Sequence, residues 1–260
     1  MSSMPFDFSG QDVWVFGGAG YLGQSTVELL VKLGAHVVCV DLPGRAEAFV
    51  AAKSLTNTVT PVSLDATNAT ETKAFVSTHL QQRGVPHGLV NMTCASTAKR
   101  LDDLTEADFD TVNHGNLTAN FLLVRDVGNA MAARGSGSIV LFSSMYGTVS
   151  PDPRVYESPA NPNPIEYGVG KAGIQQMARY LAVHWGRKGV RVNSLSPGPF
   201  PNPAVQRDNP AFVQRLAAKV PLGRIGQAGE IAGAVAFLLS NAASYVTGHN
   251  LAVDGGWTSW

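Results

Sequence analysis

The strongest constraint on how this chain can fold is an alternation along its length. Short apolar, β-branched runs at residues 13–16, 37–40, 89–90, 139–142, 190–192 and 251–253 are separated by longer segments of helical spacing at 22–33, 70–82, 109–133, 167–186 and 230–239. Strands that are apolar at every position are covered on both faces, and helices between such strands serve as crossovers joining parallel neighbours. The pattern predicts an α/β fold, a doubly wound, mostly parallel sheet of the Rossmann type with helices on both faces. No repeat, charge run or linker divides the 260 residues, so one domain over 1–260 is expected. The rhythm fails at 149–166, where Pro151, Pro153, Pro159, Pro162 and Pro164 prevent either periodic structure and predict a surface loop.

Composition restricts the partners. Lys and Arg number 19, as do Asp and Glu. The cationic excess that phosphate-backbone binding needs is missing, so nucleic acid is not expected. The first eleven residues lack the basic and apolar regions of an export signal, and no stretch reaches about 18 apolar residues, which predicts a soluble, cytoplasmic protein without a membrane partner. Cys39 and Cys94 lie in apolar runs and are expected to be reduced and buried. No metal site is expected.

The turn after the first run reads Gly17-Gly18-Ala19-Gly20-Tyr21-Leu22-Gly23 and opens a helical pattern. Glycines there let the backbone approach a pyrophosphate, whose charge meets the free N–H groups of the helix start. Asp41 ends the second run, 18 positions beyond Gly23. A carboxylate so placed can accept both ribose hydroxyls of an adenosine and repels a 2′-phosphate, which favours NAD over NADP. Nearby Arg45 works against that preference.

Tyr167 and Lys171 stand four apart at the start of a helical pattern, hence on one face. A free phenol has a pKa near 10 and is a poor base at neutral pH; an ammonium at ~4 Å, at an effective dielectric of about 20, offers about 4 kcal/mol toward its phenolate. The spacing alone also suits an ordinary pair on a helix surface.

Together with the glycine turn and Asp41, this pair makes the sequence resemble the short-chain dehydrogenase/reductase family, in its compact one-domain branch. Further segments match in order: 62–65, ending in Asp65 and followed by Ala66; 89–91, ending in Asn91; 116–121, beginning at Asn116; 137–144, ending in Ser144; 191–198, ending in Pro197-Gly198; and 246–256. The spacing of Gly17, Gly20 and Gly23 is similar to the extended branch of nucleotide-sugar epimerases and dehydratases, but the chain is too short for that branch's substrate domain.

The resemblance implies a hydride-transferring oxidoreductase acting on a secondary alcohol or ketone. Tyr167 would be the acid/base. Lys171 would lower the pKa of the phenol and hold the nicotinamide ribose, Ser144 would hydrogen-bond the substrate oxygen, and Asn116 would anchor a relay water. It further implies cofactor contacts from Gly17, Gly20, Tyr21, Leu22, Gly23, Asp41, Asp65, Ala66, Asn91, Tyr167, Lys171, Pro197, Gly198 and Asn202, and a homo-oligomer, dimer or tetramer. An epimerase or dehydratase using the same dyad, and a non-catalytic dinucleotide-binding sensor, are the alternatives.

Ser144 and Tyr167 are 23 positions apart, about a dozen more than is usual in this branch. Tyr156 stands at the usual interval but has no Lys four later. The inserted loop, about 148–166, is expected to rim the substrate, with Tyr146, Arg154 and Tyr156 beside Ser144 and Tyr167 as contacts. A second loop, flanked by Pro201, Pro203 and Pro210, lies at about 199–220, where the resemblance implies a mobile substrate lid. The inserted loop is similar to that of a bacterial subgroup found with surface-polysaccharide and flagellin-glycan biosynthesis, which implies a sugar, polyol or nucleotide-sugar substrate.

Overall fold

The computed structural model describes residues 6–157 and 161–260. Seven strands form one sheet: β1 (Asp12–Phe16), β2 (His36–Asp41), β3 (Val59–Ser63), β4 (Gly88–Asn91), β5 (Gly137–Phe142), β6 (Val190–Pro197) and β7 (Asn250–Val253). Their order is β3-β2-β1-β4-β5-β6-β7 and every pairing is parallel. The sheet is a single-domain Rossmann-like fold. Chain progression reverses direction beside β1, and the crevice that this opens between the carboxyl ends of β1 and β4 is the standard position for a ligand in such sheets.

Nine α-helices are present among the described residues: α1 (Tyr21–Lys32), α2 (Arg45–Ala52), α3 (Ala69–Arg83), α4 (Glu106–Asn113), α5 (Asn120–Arg134), α6 (Ile165–Trp185), α7 (Pro203–Asp208), α8 (Pro210–Lys219) and α9 (Ala228–Leu239). The alternation of side chains along β1 shows how they divide. Val13 and Val15 enter one core with Val27 and Leu30 of α1 and Ile231 and Val235 of α9. Trp14 and Phe16 enter the other with Phe75 of α3, Val127 and Met131 of α5, and Ile174 and Trp185 of α6. Arg191 of β6 closes the end of α9, donating to the carbonyls of Leu238, Leu239 and Ser240 and so replacing the hydrogen bonds a helix end lacks.

Three expectations need correction. The helical pattern at 109–133 is not one helix: a π-helical turn at His114–Ala119 separates α4 from α5. β7 is an edge strand and only partly buried. The lid region is not a bare loop either, since α7 and α8 lie in it, each with Pro in its first turn and an Asn side chain capping it. Among the described residues, the segment 149–166 is loop as expected, apart from a 3-10 turn at Pro153–Val155 and the first turn of α6; residues 158–160, with Pro159, lie outside the described residues.

Candidate active site

At the carboxyl ends of β1, β2 and β4 lies a cavity of about 510 Å³ lined by Gly17, Gly20, Tyr21, Leu22, Gly23, Asp41, Arg45, Asp65, Ala66 and Thr93, among others. The glycine turn is shaped for close approach. Gly17 has φ +76°, which a side chain rarely adopts, and its missing Cβ leaves room for the backbone of Met92 and Thr93. Gly20 caps α1 without a side-chain bond and no acidic residue lies in the first turn, so the helix start is free to meet an anion. A Cβ on Gly23 would fall 2.2 Å from the Gly17 carbonyl oxygen. Gly23→Ala is therefore expected to force the turn away from α1, costing about 1–3 kcal/mol in urea unfolding and weakening dinucleotide binding in a fluorescence titration.

Asp41 is buried at the end of β2. Its carboxylate accepts from the Ala19 N–H of the glycine turn at 3.0 Å and the Leu42 N–H at 2.9 Å, and pairs with Arg45 at 3.3 Å. Asp65 lies two residues beyond β3, where its carboxylate accepts the Thr67 N–H and hydroxyl. Asn91 is buried and holds Thr93 in the same way. Gly198 follows β6 and packs so closely on Asp254 that a Cβ would meet its Cα at 2.5 Å. Asn202 is exposed and its side-chain oxygen caps α7 through the Val205 N–H, a structural use that the sequence did not disclose.

The second group is carried by α6 and the end of β5. Tyr167 and Lys171 share a face, with the Lys171 Nζ 5.6 Å from the centre of the phenol ring. Lys171 is 2% exposed and donates to the Phe142 carbonyl at 2.9 Å. Ser144 is buried, accepts from the Tyr146 N–H at 3.1 Å, and lies near enough to the Tyr167 phenol to lower its pKa. Burial pushes the Tyr167 phenol up to about 12, opposed by the Ser144 side chain. Burial also lowers the pKa of Lys171. Desolvation outweighs the Ser144 interaction at the phenol, while the Lys171 Nζ lies over the ring face and donates to the Phe142 carbonyl.

Asn116 sits in the π-helical turn, and both ends of its side chain are engaged by one residue: Oδ1 accepts from the Ala95 N–H and Nδ2 donates to the Ala95 carbonyl, each at 2.9 Å. Its side chain thus clamps the loop that follows β4.

Of the expected substrate contacts, Tyr146 and Tyr156 meet through their hydroxyls at 2.6 Å, and both phenols are raised by burial. Both lie close enough to Tyr167 that ionising one phenol opposes ionising the other. Arg154 does not join them; its guanidinium binds Asp152 and its side chain is 86% exposed. The insertion is fastened to α8. Arg215 donates to the Val155 carbonyl and pairs with Glu157 at 3.0 Å, Lys219 pairs with Asp152, and the Tyr156 ring lies 5.5 Å from that of Phe212.

A glycine-lined cleft that reaches Phe142, whose carbonyl binds the buried Lys171 beside Ser144 and the partly buried Tyr167, is the arrangement of a nicotinamide-dependent oxidoreductase. Over residues 18–258 the chain matches a family model described as enoyl-(acyl carrier protein) reductase. It is 33% identical over 260 residues to a galactitol 2-dehydrogenase (L-tagatose-forming) of Cereibacter sphaeroides, covering 98% of each chain. The chain belongs to the short-chain dehydrogenase/reductase family. Solved structures agree. A short-chain dehydrogenase of Leptospira borgpetersenii with bound NAD+ superposes with a TM-score of 0.86 at 34% identity, covering 99% of this chain and 96% of that one. A gluconate 5-dehydrogenase of Burkholderia cenocepacia in complex with NADP and tartrate superposes at 0.87 and 26%, covering 98% of both. The protein is an oxidoreductase of this family, whose members bind nicotinamide dinucleotides.

Two residues escaped the sequence reading. Cys94 was expected to be buried but is exposed and lines the cleft, close enough for its charge to raise the pKa of Tyr167 and Lys171. Cys39 is buried, with its thiol pushed up to about 12. Glu166, next to Tyr167, has no exposed surface at all. Nothing in its spacing marked it, because a carboxylate in the first turn of a helix is ordinarily a solvated, dipole-satisfying group.

Proposed function

We propose that this oxidoreductase interconverts a secondary alcohol and a ketone on a polar substrate, a polyol or sugar, with NAD as the preferred cofactor. The observation that carries the reading is that the buried Lys171 donates to the carbonyl of Phe142, a residue of the cleft lining, which sets Lys171, Ser144 and the partly buried Tyr167 beside the cleft that Asp41 also lines. When bound, the nicotinamide supplies the hydride chemistry. Tyr167 exchanges the hydroxyl proton of the substrate, Ser144 hydrogen-bonds the same oxygen as charge develops on it, and Lys171 provides the cationic face and a donor for a ribose hydroxyl. Gly17, Gly20, Tyr21, Leu22 and Gly23 receive the pyrophosphate, Asp65, Ala66 and Asn91 the adenine side, and Pro197 and Gly198 the nicotinamide side.

Three things support a polar substrate: the paired hydroxyls of Tyr146 and Tyr156, the galactitol dehydrogenase relative, and the gluconate dehydrogenase neighbour. NAD is favoured because Asp41 is held by two backbone N–H groups and cannot swing aside for a 2′-phosphate, whereas Arg45 is half-exposed. A burial-raised phenol also sets the pH dependence. Alcohol oxidation needs the phenolate, whose fraction grows tenfold per pH unit below a pKa of about 12. Oxidation is therefore expected to climb from pH 7 to 10 without a plateau, while ketone reduction, which uses the protonated phenol, stays flat. Steady-state rates in both directions check this; an oxidation profile that levels off near neutrality would reject Tyr167 as the unaided base.

The test of the reading is an absorbance screen for NADH formation against hexitols, aldonic acids, nucleotide sugars and simple secondary alcohols, expected to find turnover among the polyols or their acids. Turnover confined to apolar alcohols would refute the substrate class. The spacing of Gly17, Gly20 and Gly23 favours one second reading, an epimerase that returns the hydride to the substrate, which would show no net NADH.

A further inference from the structure

The segment leaving β4, residues 92–100, has no regular structure, yet Met92, Thr93 and Cys94 form a wall of the dinucleotide cleft. Two side chains hold it. Asn116 grips the Ala95 backbone from both sides. Two residues further on, Glu166 Oε1 accepts both the Thr97 N–H at 3.2 Å and the Thr97 hydroxyl at 2.8 Å.

Glu166 is a costly group to keep there. It is 0% exposed, and its other oxygen, Oε2, is buried with no hydrogen-bond partner. Across the same seam, Asn113 Oδ1 is also buried and unpartnered, 3.1 Å from the point a Cβ on Gly170 would occupy, one turn along α6 from Glu166. Two unsatisfied acceptors between packed helices destabilise a fold. A carboxylate retained under that cost, directly before the acid/base residue, has a use beyond packing.

We propose that Glu166 is a positioning residue for hydride transfer: by tying Thr97 to the first turn of α6, it fixes the segment that carries the cleft wall at residues 92–94 relative to Tyr167 and Lys171. The inference rests on the oxidoreductase reading above. Charge-assisted bonds from one carboxylate oxygen to two donors of a single residue make a short, directional tether. Misplacing a wall by about 1 Å can cost about 100-fold in rate.

The experiment measures kcat, KM and NADH binding for wild type, Glu166→Ala, Glu166→Gln, Thr97→Val, the Glu166→Ala/Thr97→Val pair, and Tyr167→Phe. Glu166→Ala is expected to lower kcat about 10- to 100-fold per NADH-binding site while substrate KM moves little. Thr97→Val should show a smaller loss in the same direction, and the pair should be no worse than Glu166→Ala, because both act through one tether. Glu166→Gln keeps the acceptor for Thr97 and offers an amide donor to the seam where Asn113 Oδ1 is unpaired. It should recover most of the turnover with an equal or higher Tm. Additive losses, a Gln variant as slow as the Ala variant, or an Ala variant with lowered Tm but unchanged kcat per binding site would each overturn the proposal. If Glu166→Ala does not fold, the Gln and Val variants decide it on the same criteria. Wild-type turnover that vanishes in Tyr167→Phe shows the parent reading intact, so that failure of the Glu166 series speaks against the tether alone. Absence of turnover in the wild type overturns the parent reading and the tether with it.

Discussion

Tyr167→Phe is expected to lower turnover by about 100- to 10,000-fold, the range for removing a general acid/base, while NADH binds as it does to wild type. The substitution removes one oxygen and leaves the ring, so packing against Met145, Tyr146 and Trp257 in the cluster beneath the insertion survives. The lost oxygen is the neighbour of Ser144 and the group of the set assigned to take a proton from a carbinol. Turnover retained within tenfold would remove Tyr167 from the mechanism and leave Tyr156, whose hydroxyl is bound to that of Tyr146, as the phenol to examine.

The second large effect is on cofactor choice. Asp41→Ala is expected to raise the KM for NAD by about 10- to 100-fold, since a hydrogen bond to a charged group is worth about 1.5–3 kcal/mol. NADP should be affected far less or improve, because the same change removes a charge facing the 2′-phosphate and releases Arg45 from its 3.3 Å pairing. The loss of the Ala19 tether from the glycine turn touches both cofactors alike, so the ratio of the two KM values isolates the ribose contact. An equal loss for NAD and NADP would place cofactor selection elsewhere in the cleft.

Much of this molecule was legible in the chain because its strands are buried on both faces, which leaves uninterrupted apolar runs, and because the glycine turn joins a strand to a helix. Residues set by contacts between distant segments were not legible. The π-helical turn at His114–Ala119 is hidden because Asn116 is diverted to the backbone of Ala95, 21 residues earlier, and no local periodicity records that bond. Cys94 sits after an apolar run and reads as core, but the chain has already left the sheet at Asn91 and turned along the cleft. Arg154 and Asn202 have side chains of the right chemistry for a ligand, and local partners two and three residues away engage them first. α7 and α8 were not legible because they are short and each begins at a proline, which reads as a break in periodic structure.

The most direct test of the account follows the hydride itself. A hexitol deuterated at its secondary carbinol carbons is incubated with the enzyme and NAD, and both products are analysed by mass spectrometry. The expected result is deuterium in the nicotinamide ring of NADH, in equal amount with a ketose that has lost it. Label that stays in the sugar while its configuration changes, or an unlabelled nicotinamide despite bound cofactor, would contradict the account.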